Sequence, residues 1–124
     1  MGYVFNHFNF NVKDLQASLD FYEKALGLKP VRTKDAADGS FKLVYLGDTA
    51  GSPFTLELTW LRDHPQAYDL GEQEFHLAFT VEDYDASFAL HQEMGCVCFV
   101  NEGMGIYFIE DPDGYWIEVV PARR

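Results

Sequence analysis

Two histidines and two glutamates are the residues of this chain whose types and spacing suggest chemistry. His7 opens the run HFNFNVKDLQAS and His76 opens HLAFTVEDYDAS, at an offset of 76 − 7 = 69 residues. At that offset His7/His76, Phe10/Phe79, Val12/Val81, Asp14/Asp83, Ala17/Ala86 and Ser18/Ser87 coincide. Each half then closes on a glutamate between apolar neighbours, Leu56-Glu57-Leu58 and Ile117-Glu118-Val119. Internal repetition marks one supersecondary unit used twice. Imidazole and carboxylate at equivalent places of such units form the donor set of a divalent-metal site.

The elements that must position these residues follow a repeating order. Residues 3–12 alternate and are rich in Phe and Val, as a strand does. Asp14 offers an N-cap to a helix with Leu15, Leu19, Tyr22 and Leu26 on one face, and Gly27 supplies its stop. Strand-like stretches at 29–33, 41–47 and 53–60 come next, divided by Asp38-Gly39 and by the turn-rich segment 47–53. The second half predicts a strand at 74–82, a helix from Asp83 carrying Tyr84, Phe88, Ala89 and Met94 and closed by Gly95, and strands at 96–100, 104–110 and 115–120. Asp111-Pro112-Asp113-Gly114 has the composition of a type I turn. The expectation is an α+β chain of two tandem βαβββ modules, 1–60 and 74–124, joined by a linker at 61–73 into one compact domain.

Side chains alternate across a strand, so parity assigns faces. His7 goes with Asn9 and Asn11, opposite Phe8, Phe10 and Val12. Glu57 goes with Thr55 and Thr59, opposite Leu56, Leu58 and Trp60. His76 lies opposite Phe75, Leu77, Phe79 and Val81, and Glu118 lies opposite Ile117 and Val119. All four point away from the apolar side that helices must cover. A curved mixed sheet with helices outside and ligands inside is the expected architecture. A lone His or Glu in a strand is usually structural or solvated; four at repeat-equivalent places on the uncovered face are better explained by a metal. His64, beside Pro65, and His91, late in the second helix, fall outside the pattern and are expected at the surface, with Glu110 and Asp111 as turn and rim residues.

Composition narrows the partners. With 9 basic and 20 acidic residues the formal charge is −11, which repels nucleic acid and anionic membranes but not a cation or a small substrate. No apolar run approaches a membrane span, and the start MGYVFNHFNF lacks the features of a signal peptide. Cys96 and Cys98 are too close along one strand for a disulfide and are expected to be buried or half-buried thiols of a cytoplasmic protein. No phosphate loop, nucleophile elbow or dinucleotide fingerprint is present.

The paired modules with His…Glu…His…Glu, the helix DLQASLDFYEKALGL and the ending EDPDGYWIEVV resemble glyoxalase I (lactoylglutathione lyase) of the vicinal oxygen chelate superfamily. The resemblance covers nearly the whole chain. It implies that His7, Glu57, His76 and Glu118 ligate a divalent metal ion, with Glu118 and Glu57 as the catalytic pair. Four protein ligands would saturate a tetrahedral zinc, so an active centre needs higher coordination, as with nickel, cobalt, manganese or an expanded zinc site. The implied reaction converts the hemithioacetal of methylglyoxal and a thiol into the lactoyl thioester through a metal-bound enediolate. Glu118 would leave the metal to move the proton. The family also implies a homodimer, with the first module of one chain facing the second module of its partner.

Three departures concern the thiol. Where the family has an arginine four residues beyond the first ligand, this chain has Asn11; four beyond the first Glu, an asparagine gives way to Leu61. The basic, glycine-rich loop is reduced to Asn101-Glu102-Gly103-Met104-Gly105. The thiol co-substrate is thus glutathione or another. The competing readings are another superfamily enzyme (a thiol transferase or a dioxygenase), which would need only three ligands, and a metal-free binding module, which has no reason to repeat His and Glu.

Overall fold

The computed structural model describes residues 1–123. The chain divides into two compact units, Met1–Tyr68 and the remainder from Asp69 onward. The expected mixed sheet resolves into two four-stranded sheets, one in each unit.

In the first unit β1 (His7–Asn11), α1 (Leu15–Leu26), β2 (Lys29–Asp35), β3 (Phe41–Gly47) and β4 (Thr55–Leu61) follow in order. The sheet order is β1-β4-β3-β2, with β1 parallel to β4 and β2-β3-β4 an antiparallel meander. A parallel neighbour requires a crossover, and α1 lies on that crossover. Asp14 caps α1 by accepting from Ala17 N (3.1 Å), and Gly27 ends it in the left-handed region at φ 68°. The helix buries Ser18, Tyr22 and Ala25; Tyr22 belongs to the expected face, and Ser18 and Ala25 lie to one side of it. Leu15 and Leu19 instead line an open groove of about 430 Å³ with Thr33, Lys42, Val44 and Trp60. Phe10, Val12, Val44, Leu46, Leu56 and Leu58 form the covered face. The strand expected from residue 3 begins at His7; one further ladder bond, Thr55 N to Asn6 O (3.1 Å), precedes it, and Tyr3, Val4 and Phe5 are exposed.

The second unit repeats the order as β5 (Leu77–Val81), α2 (Tyr84–Glu93), β6 (Val97–Asn101), β7 (Ile106–Glu110) and β8 (Trp116–Pro121), with sheet order β5-β8-β7-β6. Asp83 caps α2 through Ala86 N (3.0 Å). The covered face holds Tyr107, Ile109, Ile117 and Val119. Asp111 is buried within its turn, its Oδ1 accepting from Asp113 N and Tyr115 N at 2.9 Å, so it is no rim residue.

His91 corrects the sequence reading. It is 1% exposed, and its Nδ1 is 2.8 Å from the Tyr107 hydroxyl, which also meets Ser87 Oγ at 2.6 Å. At the 69-residue offset it occupies the place of Tyr22, which is also buried. A histidine can be buried there because β7 supplies a hydroxyl for it. His64 is half-buried rather than exposed, stacked on Tyr68 at 3.9 Å. Cys96 and Cys98 are free, half-buried thiols, as expected. No helix among the described residues is long and apolar enough to cross a membrane.

Candidate metal centre

Each unit brings its own histidine and glutamate together on the uncovered face of its sheet. In the first, His7 Nε2 lies 3.7 Å from Glu57 Oε1. In the second, His76 Nε2 lies 3.4 Å from Glu118 Oε1. His7 opens β1 and Glu57 is central in β4, its parallel neighbour; His76 immediately precedes β5 and Glu118 is central in β8. The glutamate side chains are 12% and 13% exposed and the imidazoles 38% and 44%, so each pair opens outward with its carboxylate seated deeper.

The donor geometry fits a cation. Two atoms each about 2.0–2.2 Å from one ion lie roughly 3–4 Å apart at bond angles of about 90–120°, and both pairs fall in that span. His7 Nδ1 is 2.6 Å from Asn6 Oδ1, so donation of its N–H to the amide oxygen leaves the Nε2 lone pair facing Glu57. A lone pair facing a carboxylate is a mutual repulsion that a cation between them relieves. Among the described residues no three of His, Cys, Asp and Glu come together as a ligand cluster; each unit supplies two.

The surroundings of the two glutamates differ. Across the first sheet the register aligns Arg32, Tyr45, Glu57 and Asn9 in one row. The hydroxyl of Tyr45 is hydrogen-bonded to Glu57, and that bond raises its pKa above the ordinary tyrosine value. The Asn9 amide, with its nitrogen toward Glu57, donates to Glu57 Oε1 (3.0 Å) and to Thr59 Oγ1 (2.5 Å). The His7 ring meets Tyr45 edge-on at 5.6 Å, and the Arg32 guanidinium carbon lies 5.0 Å from the centroid of the same ring. In the second sheet the corresponding row reads Phe99, Phe108, Glu118 and Ala78. His76 meets Phe108 edge-on at 5.1 Å, repeating the His7–Tyr45 contact without its hydroxyl. Phe99, Phe108 and Trp116 form an aromatic wall with centroids 5.4–6.3 Å apart.

Sequence reading located the four ligand candidates and missed Asn6, Tyr45 and Phe108. Tyr45 and Phe108 matter because they stand opposite the glutamates, and strand register carries that information. Gln73 was missed as well. It adopts φ 51° and its Oε1 accepts from Trp116 N (2.9 Å), tying the segment before β5 to the start of β8.

Residues 4–119 match the family described as the Glyoxalase/Bleomycin resistance protein/Dioxygenase superfamily. A lactoylglutathione lyase of Pseudomonas aeruginosa is 36% identical over 97% of this chain and 83% of its own. That of Neisseria meningitidis is 39% identical over 94% of this chain and 89% of its own. Among solved structures, the trypanothione-dependent glyoxalase I of Leishmania major superposes with a TM-score of 0.86 at 31% identity, covering 98% of this chain and 88% of that one. Maize glyoxalase I gives 0.77 at 26% identity, with this chain spanning 43% of its length. The repeated fold and these similarities place the chain in the Glyoxalase/Bleomycin resistance protein/Dioxygenase superfamily.

Proposed function

We propose that this chain is a metal-dependent lyase of the lactoylglutathione lyase type, acting on the hemithioacetal of methylglyoxal and a thiol. The observation that carries the reading is the repeated His–Glu pair, its donor atoms 3.7 and 3.4 Å apart on the uncovered face of each sheet. The similarity to curated lactoylglutathione lyases over nearly the whole chain supports it. His7, Glu57, His76 and Glu118 would hold the ion, a nickel, zinc, cobalt or manganese. When bound, it would supply Lewis acidity toward the two neighbouring oxygens of the substrate.

The chain's own residues divide the remaining work. Glu57 accepts from Tyr45 and Asn9, which hold it in place and leave it further lone pairs for the ion. Glu118 stands between Phe108 and Ala78, neither of which has a side-chain donor. Glu118 is therefore the carboxylate free to move. It takes the proton from the carbon bearing the sulfur and returns it to the adjacent carbon, while the hydroxyl proton of the first carbon passes to the oxygen of the second. The product is the isomeric α-hydroxy thioester, with no atom gained or lost. Phe99, Phe108 and Trp116 give that side an apolar wall, and the Glu118 side chain beside it is 13% exposed.

The full ligand set is completed in a homodimer, each site taking one pair from each chain, and the protein works in the reducing cytoplasm. The test is elemental analysis of the purified protein together with ultraviolet detection of thioester from the methylglyoxal–glutathione hemithioacetal. Stoichiometric divalent metal and turnover are expected, with Glu118→Gln lowering kcat by about 10²–10⁴-fold. Absence of turnover after loading with each of the four metals would overturn the assignment.

A further inference from the structure

The row across the first sheet ends in a cation that the proton transfer does not use. Arg32 lies on β2, opposite Tyr45, and Tyr45 lies opposite Glu57. Its guanidinium carbon lies over the Tyr45 ring, 5.0 Å from the centroid. That cation–π contact seats the charge beside the ring, and no hydrogen bond or ion pair among the described residues takes up its N–H donors. Arg32 makes no ion pair among the described residues, whereas Arg62, the other arginine on this unit, is bound to Asp63 (3.1 Å) and to Asp38 O (2.9 Å). Lys34, on the same face of β2 two residues along, adds a second positive charge. The equivalent position of the second sheet is Phe99, so the cation belongs to one half of the repeat alone.

A guanidinium with its donors free is a receptor for a planar anion, and a carboxylate fits it by two parallel hydrogen bonds. Once a metal ion balances Glu57, nothing else in the row attracts the Arg32 charge. The ring of Tyr45 joins the two functions: one part touches His7 and Glu57 and its face supports Arg32. An anionic group held by Arg32 is thereby separated from Glu57 by one intervening strand, β3.

We propose that Arg32 is the specificity-determining residue for the thiol carrier, binding a carboxylate of a peptide-like thiol such as glutathione. This rests on the lyase reading above. It places the carboxylate anchor on β2, in a chain where Asn11 occupies the arginine position on β1.

The experiment compares two methylglyoxal hemithioacetals, one of glutathione and one of its diethyl ester, which has the same thiol and no free carboxylate. In nickel-loaded wild type the glutathione adduct should have the lower KM. Arg32→Met should raise that KM about 10–100-fold, leave kcat within about threefold, and leave the diester unchanged; Arg32→Lys should recover part of the loss. Equal effects on both adducts, or none on either, would overturn the proposal, because a residue that merely supports Tyr45 cannot distinguish them. Calorimetric binding of S-methylglutathione and its diethyl ester separates this proposal from the lyase reading. If wild type turns over neither adduct but prefers the free carboxylate, and Arg32→Met abolishes that preference, the lyase reading fails and the anchor stands. Absence of any preference in wild type removes the anchor.

Discussion

His7 and His76 are equivalent in the repeat and differ in what orients them. His7 has the Asn6 amide at Nδ1; at the 69-residue offset Asn6 is replaced by Phe75, so His76 is oriented by its edge contact with Phe108. The glutamates diverge likewise, Glu57 with a tyrosine and an amide across from it and Glu118 with a phenylalanine and an alanine. Partners that orient a ligand typically contribute 10–100-fold to metal affinity. We therefore expect Asn6→Ala and Tyr45→Phe each to weaken divalent-metal binding by about tenfold or more. The fold should persist, since both residues lie outside the buried core. Metal titration followed by calorimetry, with circular dichroism as the fold control, checks this; unchanged affinity in both variants would mean that these contacts do not orient the ligands. The side chains of the four ligand candidates were readable from strand parity alone, because alternation is local. Their partners were not, because a residue's neighbour across a sheet depends on register between distant segments.

At the scale of elements, the same division between local and long-range information explains His91. It lies three residues beyond Phe88 and seven beyond Tyr84, on the helix face that packs on Tyr107, and the Tyr107 hydroxyl, brought there by β7, gives its buried Nδ1 a partner. Capping residues, by contrast, act within three residues of themselves, and Asp14, Gly27 and Asp83 appear where the sequence places them. The packing of α2, β6 and β7 also sets an alkaline limit. Burial pushes the Cys98 thiol from 9.0 up to about 11 and the Tyr107 phenol from 10.0 up to about 12. The unfolded chain loses these protons first, so the fold favours the neutral forms. Their contribution is complete below about pH 9 and declines as pH rises through 9–12. Thermal unfolding should therefore show Tm falling across that window, and Cys98→Ala should make the fall shallower between about 9 and 11. A Tm independent of pH from 9 to 12 would show that neither group is held neutral by the fold.

For the whole molecule, the decisive fact is that, among the described residues, each unit brings two ligand candidates together and neither brings three. Two ligands from a protein bind a divalent ion weakly, and four bind it as a resident cofactor. If the proposed homodimer joins the first module of one chain to the second module of its partner, a two-fold axis generates two identical sites. Each would draw His7 and Glu57 from one chain and His76 and Glu118 from the other. That arrangement makes a complementation prediction. An inactive His7→Ala chain and an inactive Glu118→Ala chain are unfolded together, mixed and allowed to re-form dimers. In a mixed dimer one site collects both lesions and the other has none, so one intact site appears. With random pairing about half of the dimers are mixed, and activity should recover to about one quarter of wild type. Sites confined to single chains would each keep one lesion, and the mixture would stay inactive. Mass spectrometry of the intact dimers, run beside the activity assay, establishes that mixed dimers formed. Mixed dimers without activity would exclude the shared site and return both pairs to one chain.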